Sequence, residues 1–342
     1  MIYPLADQPQ GPITGEDVLT SMLQWGAGRP DGPGSLAGLI ELNWVARDDL
    51  GQVSDRVVGR RAKPLFSLTI EQAIAMLGTV ARDGLTPNTI FFTGADPAGH
   101  PQLGEFLQLA RQSGISQIGL QCSGPRLAHD DDLLDMLIAL KPLLFVEFDG
   151  FDETASLILH GRRDLPFEVR RGLDRLAAAG LPTALLISVV QGVNLQEVGA
   201  IATFGLNHPA VFSAIFRPIQ APIAYRGGGL TGQVTAARIM AALEQQSNGL
   251  FRQDAFAPIL RRQPEQHFYA QVPYAGQNGS AVHSRPGAHS GKIAHDASCF
   301  WLGVHEFMTP CNQGLSQAQR CPLVIMTPDG RKTPYCLYDA AE

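Results

Sequence analysis

Four of the five cysteines, Cys299, Cys311, Cys321 and Cys336, fall in the last 44 of 342 residues. Four thiolates satisfy a tetrahedral zinc ion or an iron-sulfur cluster. In a reducing compartment such crowding points to metal ligation more than to disulfides. Their spacings of 12, 10 and 15 residues contain no C-x2-C pair, so the competing reading is a set of independent, partly buried thiols. His267, His283, His289, His295 and His305 share this tail, and a histidine can replace a cysteine in such a site. Near the other end, Asp48, Gln52 and Asp55 offer two carboxylates and an amide. Oxygen donors suit hard cations, but three groups are too few to specify a site. With Arg47, Asp49 and Arg56 beside them they read as a solvated polar loop.

A second set of polar residues, Asp96, Glu147, Asp149, Asn194 and Arg217, lies near the ends of apolar runs. Such residues can line a pocket, with acidic pairs serving as general acid and base; the competing reading is capping and hydrogen bonding of loops. Gly227-Gly228-Gly229 lacks the Lys-Ser/Thr of a phosphate loop and reads as a connection. Cys122, isolated at the end of an apolar run, reads as a small buried hydrophobe.

The runs that must position these groups are Leu36 to Trp44, Thr89 to Phe92, Gln117 to Gln121, Leu143 to Phe148, Thr183 to Val190 and Val211 to Phe216. Nearly continuous apolar character marks strands buried on both faces. Helix-period segments follow each. Ser67 or Thr69 is placed to cap the first, Asp130 to Asp132 to open the third, and Gly84, Gly114 and Gly180 to follow helix ends. Residues 195–205 and 231–246 supply the last two helices. Six βα units give an open doubly wound sheet or a barrel, and a six-unit, partly open barrel fits best because the alternation stops after residue 250. Either architecture puts its chemistry at the carboxyl ends of the strands. The expected organisation is an irregular lead-in over 1–34, a (β/α)6 partial barrel over 35–248, and a Cys/His-containing extension over 249–342.

A net charge of -6 with no basic stripe argues against nucleic acid and anionic membranes as partners. A small solute or a protein partner is the expectation. The N-terminus lacks a basic flank and an apolar core, and no run of about 18 apolar residues occurs, so the sequence reads as cytoplasmic with no membrane span.

Five loops, in order, carry a resemblance. Thr93-Gly94-Ala95-Asp96-Pro97 precedes His100-Pro101; Gln121-Cys122-Ser123-Gly124, Glu147-Phe148-Asp149-Gly150, Val190-Gln191-Gly192-Val193-Asn194 and Phe216-Arg217-Pro218 end later runs. Together they resemble the radical S-adenosylmethionine (SAM) enzymes, where T-G-G-E-P, T-N-G, S-L-D-G and V-x-G-x-N stand at these places. The tail from His305-Glu306-Phe307-Met308 through Arg320-Cys321, Thr327-Pro328-Asp329-Gly330 and Pro334-Tyr335-Cys336-Leu337-Tyr338 resembles the tetraether-lipid-synthase-like branch. The resemblance implies an α/β partial barrel of radical SAM type. It also implies a SAM-like pocket built from Thr93, Gly94, Ala95, Asp96, Pro97, Glu147, Asp149, Asn194 and Arg217, and metal at the late cysteines. Two departures stand out. Asp48, Gln52 and Asp55 occupy the spacing at which the family keeps C-x3-C-x2-C for a [4Fe-4S] cluster, and Ala95-Asp96 replace a Gly-Glu pair that receives the SAM amine. The expectation is a degenerate member unable to cleave SAM reductively, with SAM binding weakened. Such a protein would bind a small molecule or a partner such as an active paralogue. The alternative is an enzyme using a C-terminal Fe-S or Zn site on an apolar or lipid-like substrate.

Overall fold

A computed structural model describes residues 37–44, 66–82, 89–94, 96–115, 117–219, 234–258, 267–274, 299–306, 323–327 and 332–334. The six anticipated strands form as β1 (Ala37–Trp44), β3 (Thr89–Gly94), β4 (Gln117–Cys122), β5 (Leu143–Glu147), β6 (Thr183–Val189) and β7 (Val211–Pro218), and each pairs in parallel with the next. A two-residue strand β2 (Phe66–Ser67) lies antiparallel to β1.

Between them run α1 (Ile70–Arg82), α2 (Leu103–Gln112), α3 (Gly124–His129), α4 (Asp131–Leu140), α5 (Glu153–His160), α6 (Leu165–Ala178), α7 (Val198–Asn207) and α8 (Ala236–Gln246). The capping chemistry matches the residues. Asp130 accepts the Leu133 N–H at 2.9 Å to start α4, and Asp152 accepts from Thr154 and Ala155 to start α5. Gly114 and Gly180, at φ +78° and +66°, sit just past the ends of α2 and α6.

The tail extends this sheet. β10 (Cys299–His305) runs parallel beside β7, and β11 (Leu323–Met326) runs parallel beside β1. The antiparallel strands β9 (His267–Pro273) and β12 (Lys332–Pro334) flank them, and β8 (Ala257–Pro258) pairs with β9. The strand order is β12-β11-β1-β3-β4-β5-β6-β7-β10-β9-β8. The parallel run is thus two strands longer than the six apolar runs expected, because β10, which follows α8, and β11 join its flanks.

Strand residues alternate between two faces. Ile90, Phe92, Leu120, Cys122, Leu144, Val146, Leu185, Ile187, Ala214, Phe216, Leu302 and Val304 share one apolar core with helix residues such as Phe106, Leu137, Leu173, Ile201 and Leu243. Every described helix except α5 contributes to that core, so the helices cover one face of the sheet, as a barrel requires and a doubly wound sheet does not. Each fully buried leucine or phenylalanine in it contributes about 1.5–3 kcal/mol.

The other face is the inner one. Its floor holds Phe91 and Phe145 with ring centroids 4.7 Å apart, edge to face over Gly119. A Cβ on Gly119 would lie 2.3 Å from Phe91, so only glycine permits this stack. Leu186, Ile215 and Trp301 continue the apolar floor across β6, β7 and β10.

Candidate functional site

Two residues further along the same inner positions, apolar side chains give way to polar ones. The Thr93 hydroxyl donates to Gln121 Oε1 at 2.7 Å, and Gln121 Nε2 donates to Glu147 Oε1 at 2.9 Å. Arg217 Nη2 lies 3.5 Å from the same Glu147 oxygen and donates to Ser188 Oγ at 3.2 Å. Five consecutive parallel strands, β3 to β7, each supply one member of this band near their carboxyl ends, where α/β folds place their ligands. The register Val304↔Phe216 brings His305 of β10 to the level of Arg217. Behind it Tyr269 of β9 is hydrogen-bonded to His305 Nε2. Burial pushes the Tyr269 hydroxyl up from its ordinary range, so it acts as a neutral hydroxyl.

Glu147 and Arg217 are 16% and 17% exposed, enough to meet a ligand arriving at the strand ends. Desolvation raises the Glu147 carboxyl above the usual range, and the nearby Asp149 adds to the rise; Arg217 and His160 oppose it.

Below the band on the α5 side, Asp149 anchors a second network. Its Oδ1 accepts the Ser188 N–H at 2.5 Å, and His160 Nε2 lies 2.9 Å from Oδ2, both side chains being almost wholly buried. Asn194, fully buried, donates Nδ2 to the carbonyls of Asp149 and Ser188, and its Oδ1 accepts the Val190 N–H, each at 2.8 Å. Asn194 is therefore a loop pin, the capping role weighed against a ligand role for it. A small pocket opens here between Glu147, Asp149, Ser156 and His160.

Asp96 takes another path. Both carboxylate oxygens are engaged by Arg126, at 2.5 to 3.2 Å, and Asp96 is 4% exposed. A Cβ on Gly99 would lie 2.0 Å from Asp96 Oδ2, so this ion pair needs glycine there. Pro97 opens the turn that follows. Thr93, Glu147 and Arg217 thus share the band, Asp149 and Asn194 hold its supporting loops, and Asp96 belongs to a separate ion pair with α3. Gln121, Ser188, His160 and Tyr269 were not among the expected site residues, and His305, expected as a possible metal ligand of the tail, stands instead at the edge of this band. The signal for Gln121 and Ser188 was a polar residue at the inner parity of an apolar run, close to its carboxyl end.

Of the expected metal residues, Cys299 is partly buried and opens β10 at the amino end of the parallel sheet, away from the polar band. Cys311, Cys321 and Cys336 lie outside the described residues, as do Asp48, Gln52, Asp55 and Ala95. Cys122 is packed in the helix-side core, where burial raises its thiol far above the ordinary range.

A sequence model of the Radical SAM superfamily matches residues 51–205. The chain carries a radical SAM domain. The 7,8-dihydro-6-hydroxymethylpterin dimethyltransferase of Methanocaldococcus jannaschii is 26% identical over 202 residues, which is 57% of this chain and 39% of that protein. The match therefore spans well under half of the relative. Among solved structures, Streptococcus suis SuiB bound to its precursor peptide SuiA aligns over 63% of this chain and 46% of SuiB, with 10% identity and a TM-score of 0.48. The radical SAM methyltransferase TsrM of Kitasatospora setae, with cobalamin and a [4Fe-4S] cluster bound, aligns over 55% of this chain and 37% of TsrM, with 14% identity and a TM-score of 0.41.

The radical SAM domain implies a [4Fe-4S] cluster and SAM. The donor set at the loop after β1 does not fit the cluster: the first cysteine of the sequence is Cys122, and it is buried on the opposite face of the sheet from the polar band. Asp96 is already paired with Arg126.

Proposed function

We propose that this chain is a radical-SAM-fold protein that does not cleave SAM reductively and that binds a small molecule at the polar band across the mouth of its barrel. One observation carries the reading: no cysteine precedes Cys122, so Asp48, Gln52 and Asp55 stand where thiolates would hold the cluster. Carboxylate and amide oxygens are poor ligands for an iron-sulfide core. Without the cluster there is no electron source for homolysis of SAM. The band of Thr93, Gln121, Glu147, Ser188 and Arg217 supports a retained ligand site, since it remains reachable and carries opposed charges at the strand ends.

The test is anaerobic purification, reconstitution with iron and sulfide, and a 5'-deoxyadenosine assay with SAM and dithionite. The expected result is no deoxyadenosine above the protein-free control. Formation of deoxyadenosine that depends on this protein alone overturns the reading. Metal analysis of the same preparation against Cys321→Ala and Cys336→Ala addresses the late cysteines separately.

A further inference from the structure

We propose that the Arg217 end of the polar band is a binding site for the carboxylate of a small monoanionic ligand, with Arg217 as the charge and Ser188, Glu147 and His305 around it. This rests on the reading that the barrel mouth binds a small molecule, and it names the chemistry that the mouth selects. The guanidinium is under-used. An arginine has five N–H donors in a fixed fork. Among the described residues Arg217 gives a hydrogen bond of 3.2 Å to a serine hydroxyl and a 3.5 Å contact to Glu147, while its buried Nε has no hydrogen-bond partner there. Leaving donors of a buried cation unfilled is unfavourable, and a planar carboxylate fills two of them at once.

The neighbours favour that ligand over others. Glu147 Oε1 accepts the Gln121 amide at 2.9 Å and meets Arg217 only at 3.5 Å, and burial raises its carboxyl above the usual range, so its hold on the guanidinium is loose. A single, loosely engaged guanidinium matches a monoanion. A phosphate dianion would bring excess negative charge next to Glu147 and Asp149, which is unfavourable at this degree of burial. The floor beneath, formed by Phe145, Leu186 and Ile215, is closed and apolar, so the ligand rests on the band with its carboxylate toward β7.

The experiment is calorimetric titration of the full chain with benzoate, a small planar monocarboxylate, at neutral pH. The expected result is saturable binding to one site, weakened about 10- to 100-fold in Arg217→Gln, as loss of one charge-assisted bidentate contact implies. Arg217→Lys keeps the charge without the fork and is expected to fall between. Glu147→Gln removes the carboxyl that competes for Arg217 and is expected to bind benzoate more tightly than wild type. Circular dichroism and thermal unfolding of each variant separate lost binding from lost folding. Unchanged affinity in folded Arg217→Gln, absence of benzoate binding by the wild type, or inorganic phosphate binding as tightly as benzoate each overturns the proposal. None of these outcomes alters the deoxyadenosine assay, and deoxyadenosine formation would leave the benzoate isotherm where it is, so the two readings fail independently.

Discussion

Replacing Asn194 by alanine removes three hydrogen bonds of 2.8 Å from a fully buried side chain. The Val190 N–H and the carbonyls of Asp149 and Ser188 then lose that partner. An unsatisfied buried polar group costs about 1–3 kcal/mol, so even at the low end Asn194→Ala should lose about 3 kcal/mol. At about 2–4 °C per kcal/mol for a protein of a few hundred residues, the unfolding midpoint should fall by roughly 6–12 °C. Differential scanning fluorimetry at fixed pH measures it. Gln196→Ala is the matched control, because the partly buried Gln196 gives one bond, to the Val193 carbonyl, and its loss should stay near 1 kcal/mol, about the worth of one hydrogen bond. Asn194→Asp keeps the acceptor for Val190 but sets a carboxylate oxygen against two carbonyls, and should be no better than alanine. If Asn194→Ala shifts the midpoint no more than Gln196→Ala, the loop is not pinned by this side chain and the support described for Asp149 and Ser188 is wrong.

Other perturbations follow from the same geometry. Glu147 has a folded-state pKa raised by burial, so its stabilising neutral form is present below the ordinary glutamate range and is lost as pH rises through the folded value; Glu147→Gln should therefore gain stability over wild type as pH increases, seen by urea titration across pH, and a constant difference would contradict it. Gly99→Ala should break the Asp96–Arg126 pair and lower stability by about 1–3 kcal/mol through overpacking, whereas an unchanged melting curve would show that the turn yields freely. Gly119→Ala should cost a similar amount by displacing Phe91, and Gly119→Ala with Phe91→Leu should recover part of it if the collision is the cause. Cys122 should resist iodoacetamide in the native state and react only in denaturant, read by peptide mass spectrometry; native labelling would refute its burial.

The six central strands were legible because a strand buried on both faces is written as a local apolar run, and the helix caps at Asp130 and Gly180 are equally local signals. β10 and β11 were not, although Cys299–His305 is apolar, because the residues that make them strands lie far off in sequence: Trp301 pairs with Ser213 and Leu323 with Ala37. At the site, Glu147 and Arg217 were found as charges near the ends of apolar runs, yet Gln121 and Ser188 escaped because an uncharged polar residue in such a run looks like a blemish until the inner face is known. Asp96 was placed with them by sequence order alone, which cannot tell that Arg126, thirty residues on, claims its carboxylate.

The pairing of residues 37–40 with 323–326 also sets a timetable. During synthesis β1 emerges early and finds β2 and β3 soon after, but among the described strands the partner of residues 37–40, β11, is made only after nearly three hundred further residues. An unpaired parallel edge is a template for foreign strands, and contacts this distant in sequence form slowly. Truncation of the tail before residue 323 should therefore lower soluble yield during expression by leaving that edge of β1 unpaired.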